Sequence, residues 1–195
     1  MNRKTLLLIT FLTEGGLSVF GLLFIGGPST MQSKFDLSWS ATFYALLLSL
    51  PMFVALYVSV RSRWKPLSQL RSELYEKVVP IFAKCQLIDL VMISFLAGVG
   101  EELFFRGWMQ GALSDRLGMW MGILIASAIF GFAHYLSSTY AIYAFITGIY
   151  LGAIYQISEN LYIVMTIHTV YDFVALMYLI RVGRRKETEI QKVEE

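Results

Sequence analysis

The sequence predicts an all-α, polytopic membrane protein, and three observations carry that reading. Of 195 residues, 56% are hydrophobic and only 15% charged, with a mean hydropathy of +0.61, far from the composition of a soluble domain. Apolar runs recur at lengths that can cross a ~30 Å hydrocarbon core at ~1.5 Å per residue. Basic residues fall in short clusters between those runs, where they would orient helices. About six transmembrane helices are expected, in a single integral membrane domain over residues 1–195.

The first span is read over Thr5 to Gly27. It mimics a signal peptide, but its apolar run is long and no Ala-x-Ala precedes Pro28, so it is taken as a retained span. Its five glycines suggest close packing against other helices. Glu14 lies within it and is expected to face protein rather than lipid, as a structural hydrogen-bond partner rather than a catalytic group. Gly26-Gly27-Pro28-Ser29 breaks the helix, and Lys34 and Asp36 mark a polar loop. Ala41 to Val60 forms the second span, which Pro51 should kink.

From Arg61 to Lys84 the chain changes character. Six basic residues are set among Trp64, Leu67, Leu70 and Leu74, an apolar spacing of three and four that predicts an interfacial amphipathic helix between spans two and three. A nucleic-acid patch is the disfavoured alternative, because the net charge is only +2. Span three runs from Leu87 to about Leu113, followed by a turn at Ser114-Asp115-Arg116-Leu117-Gly118. No Asp, Glu, Lys or Arg occurs between Leu117 and Ser158, which leaves room for two spans, Met119 to Leu136 and Tyr140 to Ile157. Leu161 to Ile180 forms the sixth, and a charged tail, 181–195, is expected to be disordered. The catalytic core is placed at about 87–180.

With six spans and an internal N-terminus, Arg3, Lys4, the six basic residues of the 61–84 loop and the five of the tail lie on the cytoplasmic side, leaving Lys34 and Arg116 outside. Both termini are therefore expected in the cytoplasm, in a bacterial inner membrane. Cys85 is the single cysteine, which excludes an intrachain disulfide and a thiolate metal site. Gly148 and Gly152 form a small-xxx-small pair that marks a helix contact. An inverted repeat and broken helices, the marks of a small transporter, are absent from the sequence.

Within span three, Glu101, Glu102 and Arg106 place two carboxylates and a guanidinium inside an apolar run. Each charge at membrane depth costs at least ~2.5 kcal/mol on insertion scales, so three of them call for a function. Glu102 and Arg106 are i,i+4 neighbours that can pair, while Glu101 points roughly 100° away and is left free. Three further polar groups lie at depth: His134, His168 and Asp172. Counted from Leu117, Glu101 is sixteen residues back and His134 seventeen forward, so an antiparallel pair puts them at one level. His168 fits less well, since straight helices leave it roughly 10 Å short. It shares a face with Asp172 at i,i+4.

A buried glutamate beside a histidine can take a proton from water and activate it, and a second histidine with a polar neighbour can stabilise an oxyanion. The competing chemistry is a Zn2+ site with Glu101, His134 and His168 as ligands plus a water. HExxH is absent, and activation without a cofactor is preferred. A non-enzymatic alternative is a membrane scaffold whose buried charges are paired structurally.

These motifs resemble those of the CPBP family (CAAX protease and bacteriocin-processing, also called Abi) of intramembrane endopeptidases, often regarded as metalloproteases. The resemblance rests on EExxxR at Glu101, Glu102 and Arg106, FxxxH at Phe130 and His134, and HxxxN/D at His168 and Asp172, in order on successive apolar segments. It implies that Glu101 and His134 activate water, that Arg106 holds Glu102, and that His168 with residue 172 supports the oxyanion. It also implies a membrane-bound peptide or protein substrate, prenylated or secreted, or a role in bacteriocin self-immunity. In the prenyl-protein proteases the last position is usually asparagine. Asp172 departs from this: an ionised aspartate cannot donate a hydrogen bond, so it must be protonated, orient His168 or bind a metal.

Overall fold

A computed structural model describes residues 2–26 and 33–194, with side chains through Val182. Among these residues the secondary structure is helical, with no strand. The elements are α1 (Arg3–Phe24), α2 (Trp39–Arg61), α3 (Lys65–Phe82), α4 (Leu87–Leu117), α5 (Met119–Ala133), α6 (Ser138–Ser158) and α7 (Leu161–Glu194). The break assigned to Gly27, Pro28 and Ser29 lies outside the described residues.

Local chemistry sets most of the boundaries. Side chains of Asn2, Ser38 and Ser137 accept from the backbone N–H groups of Thr5, Ala41 and Tyr140 and start α1, α2 and α6. Gly118, at φ 88°, supplies the left-handed turn between α4 and α5. The α6–α7 turn passes through Glu159 in the left-handed region, and its Asn160 donates to the Asp36 carbonyl, tying this corner to the loop before α2.

Each predicted span is a helix. Four of them, α1, α2, α6 and Leu161–Val182 of α7, are long and apolar enough to cross a membrane; α3 and α4 qualify only as a pair, bent by 112°. At fifteen residues α5 is shorter than predicted, about 22 Å. The protein is thus an all-α polytopic membrane protein. Large apolar side chains such as Leu12, Leu23, Phe43, Val54 and Phe95 cover its exterior, as lipid contact requires.

One expectation needs correction. Helix α7 continues to Glu194 where a disordered tail was predicted. The tail's Arg, Lys, Glu and Gln are good helix formers, and extending an existing helix avoids the cost of nucleation. Helix α4 is not regular, because Leu103–Gln110 widens into a π turn directly after the two glutamates. Pro51, by contrast, sits inside an uninterrupted α2, where the Tyr150 hydroxyl donates to the neighbouring Leu48 carbonyl at 2.6 Å. The carbonyl that Pro51 leaves without its helical donor is that of Leu47, one residue earlier.

Helices α1 and α4 run parallel in register. Arg3 makes a two-pronged ion pair with Asp89 (2.6 and 2.7 Å), an offset of 86 residues. At the same offset (100 − 14 = 86) the Gly100 Cα faces the Glu14 backbone so closely that a Cβ there would overlap the Glu14 carbonyl. Helix α7 meets α4 at Gly98, where a Cβ would overlap Thr169 and the Met165 carbonyl. Glycine therefore admits a neighbouring helix on either side of Glu101. We expect Gly100→Leu to lower stability by about 1–3 kcal/mol through overpacking, whereas Gly16→Ala, with open space around it, should be neutral. Thermal unfolding in detergent micelles checks this, and equal unfolding temperatures would contradict the α1–α4 packing.

Candidate active site

All six polar residues singled out in the sequence converge. Glu102 and Arg106 pair as the spacing predicts, Nη1 to Oε1 at 3.0 Å, with side chains at most 2% exposed. Arg106 also donates through Nη2 to the Gly148 carbonyl at 3.0 Å, and its guanidinium lies 4.7 Å from the centre of the Phe130 ring. One turn on, Gln110 donates to the Gly152 carbonyl at 3.0 Å. The glycine pair does make the expected helix contact, with Ser127 against Gly148. It does more, because the missing side chains let Arg106 and Gln110 reach the α6 backbone.

The two histidines are each fixed through Nδ1. His168 Nδ1 lies 2.8 Å from Glu102 Oε1, which also accepts from Arg106. A carboxylate held by a guanidinium accepts, so Nδ1 of His168 carries the proton. His134 Nδ1 lies 2.9 Å from the Phe130 carbonyl, which can only accept, so it too is an N–H. Both rings therefore turn Nε2 inward. His134 Nε2 is 3.6 Å and His168 Nε2 3.9 Å from the same atom, Glu101 Oε2. Asp172 Oδ2 lies 3.5 Å from His168 Nε2. Glu101 Oε2 is buried and has no hydrogen-bond partner of its own.

His168 thus reaches Glu101 although residue counting left it short. Counting measures distance along helix axes and is blind to tilt; the Gly98 contact brings α7 onto α4 three residues before Glu101.

Beside this cluster lies an elongated, largely apolar cavity of about 300 Å³. Glu14, Tyr140 and Asp172 line it near the cluster, and Leu67, Leu70 and Arg71 of α3 line it elsewhere. Glu14 is therefore more than a helix contact: its Oε2 is buried and unpartnered, and the charges acting on it include those of Glu101, His168 and His134. Sequence reasoning undervalued Glu14 and missed Gln110 and Tyr140. For Gln110 a signal existed, since Glu102, Arg106 and Gln110 repeat every four residues, as do Gly148 and Gly152.

Zinc held by Glu101, His134 and His168 is the alternative that the sequence left open. Among the described residues no group of three His, Cys, Asp or Glu side chains is arranged to hold a metal ion.

Removing Arg106 strands a buried carboxylate. Arg106→Ala should therefore cost about 3–5 kcal/mol and lower abundance in the membrane. Wild-type unfolding temperature and abundance for that variant would count against the pair.

Residues 83–174 match the family described as Type II CAAX prenyl endopeptidase Rce1-like. An uncharacterized protein of Bacillus subtilis (strain 168), YpbD, is 31% identical over 96 residues, 48% of this chain and 47% of that one. The match thus spans about half the length of that curated relative. No solved structure matches the chain significantly. The matched segment begins just before α4 and ends just after Asp172, so it contains all six converging residues and both fixed histidines. Over that segment, a little under half its length, the chain is similar to the Rce1-like family of type II CAAX prenyl endopeptidases.

Proposed function

We propose that this protein is an intramembrane endopeptidase that hydrolyses a peptide bond of a membrane-associated substrate with a water molecule activated by Glu101 and His134. The observation that carries this reading is the convergence of two oriented imidazole nitrogens on one unpartnered carboxylate oxygen. Separations of 3.6 and 3.9 Å are too long for direct hydrogen bonds and suit a bridging water.

In the proposed reaction Glu101 takes a proton from that water as its oxygen bonds to the peptide carbonyl carbon. The carbonyl π pair moves onto oxygen and forms the oxyanion. His134, fixed through Nδ1, exchanges the proton with Glu101 at Nε2 and passes it to the leaving nitrogen. The C–N bond then breaks and the oxyanion returns to a carboxyl group. His168 in its imidazolium form donates from Nε2 to the oxyanion, with Glu102 holding its other nitrogen. Asp172, unable to donate when ionised, orients His168. The preferred reading needs no cofactor. The proposed catalytic unit is about residues 87–180, and the basic clusters support an orientation with both termini and the 61–84 segment in the cytoplasm of a bacterial cell. Prenylated C-termini and secreted peptides are the substrate classes that follow from the family.

The test compares peptide termini in membranes of cells carrying the wild-type chain and cells carrying Glu101→Gln at equal abundance. Particular termini should vanish or fall by roughly a hundred- to ten-thousand-fold, with folding unchanged. Unchanged termini together with a surviving cellular phenotype would replace the protease by a scaffold or immunity protein. On a peptide found this way, cleavage should persist in EDTA or 1,10-phenanthroline. Loss that Zn2+ restores would instead move Glu101, His134 and His168 into ligand roles.

A further inference from the structure

An oxyanion forming on a peptide carbonyl in a dry site needs hydrogen-bond donors, and this site has few to give. Arg106 is committed to Glu102 and Gly148, and Gln110 to Gly152. Both Nδ1 atoms of the histidines are committed to Glu102 and the Phe130 carbonyl. His168 can offer Nε2–H, but only as imidazolium, and with Glu101 and Asp172 both facing that nitrogen. The remaining groups, Glu14, Glu101 and Asp172, are carboxylates.

Three tyrosines line the cavity next to Asp172: Tyr140, Tyr143 and Tyr171. Two have committed hydroxyls. Tyr143 and Tyr171 pair at 2.9 Å. Each of these two hydroxyls therefore has the other as its partner. Tyr140 differs, because its hydroxyl makes no hydrogen bond among the described residues. Its ring lies 6.5 Å from that of His134, and the charges acting on the phenol include those of Asp172 and Glu101. Its backbone is fixed in the first turn of α6, where the Ser137 side chain accepts from its N–H.

We propose that the Tyr140 hydroxyl is a catalytic hydrogen-bond donor to the oxyanion, supplying beside His168 the donor that an aspartate at position 172 cannot. This rests on the endopeptidase reading above. A phenol retains its proton at neutral pH, so it donates without ionising. No bond to tyrosine forms or breaks; the negative charge that arises when water adds to the carbonyl is met by the O–H and released when the C–N bond cleaves. Tyr140 belongs to α6, between the helices that carry His134 and His168 in the chain, and lines the cavity through which a peptide would approach.

The experiment uses the full-length protein in micelles and a fluorogenic peptide built around a terminus that depends on Glu101. Tyr140→Phe should lower kcat by roughly a hundred- to a thousandfold with little change in KM, as for loss of one oxyanion donor. Tyr143→Phe, which removes only a structural hydroxyl, should leave kcat near wild type. A Tyr140→Phe enzyme that folds and retains kcat, or that loses only KM, overturns the inference and leaves the endopeptidase reading intact. If Tyr140→Phe fails to fold, 3-fluorotyrosine at position 140, assayed where the phenol is neutral, replaces it. This stronger donor of similar shape should change kcat, and an unchanged kcat overturns the proposal. If no terminus depends on Glu101, both readings fall together.

Discussion

The buried pair between Glu102 and Arg106 is the constraint on which the rest of the site depends. Two charges out of water cost several kcal/mol each unless every remaining donor and acceptor is met, so the pair recruits neighbours. Arg106 reaches the Gly148 carbonyl and covers Phe130, while Glu102 accepts from His168. One salt bridge thereby joins α4, α5, α6 and α7. It also sets the tautomer of His168, because a carboxylate fixed by arginine leaves Nδ1 no role but donor.

The adjacent glutamate gains its character by contrast. Glu101 sits one residue away in sequence but about 100° around the helix, out of reach of the partner that satisfies Glu102. The same segment thus yields one carboxylate paired with Arg106 and one facing two imidazoles, each keeping a buried Oε2 without a hydrogen-bond partner. The π turn that follows belongs to this division. Wide turns of this kind recur at functional sites, and here the turn carries the buried Arg106 and Gln110 together with outward-facing Phe104 and Trp108 against Phe20 of α1. Glycines complete the arrangement by placing the helices close to Glu101, and α1, outside the family segment, brings Glu14 to the same level.

Much of this was legible in the sequence, because membrane insertion makes every buried charge conspicuous. Helix order, the Glu102–Arg106 pair and the common level of Glu101 and His134 all follow from spacing along single helices or across one turn. What spacing does not encode is the angle at which helices cross. His168 was misjudged for that reason, and Gly98 was not recognised as the point where α7 meets α4. The helical tail was missed because its charge was weighed above its helix propensity. Tyr140 was hidden among eleven tyrosines, since an uncommitted hydroxyl is a property of the folded neighbourhood and leaves no trace in a motif.

Both histidines are locked through Nδ1 and turn Nε2 toward Glu101. The chain has two histidines, so 15N-imidazole NMR of histidine-labelled protein in micelles gives two ring spin systems, assigned with one His134→Gln variant. The account predicts a proton on Nδ1 of both rings, whether neutral or cationic, with that of His168 lost or weakened in Glu102→Gln. A neutral ring protonated only at Nε2, at either position, would place a lone pair against the Phe130 carbonyl or Glu102 and contradict the geometry on which the proposed mechanism stands.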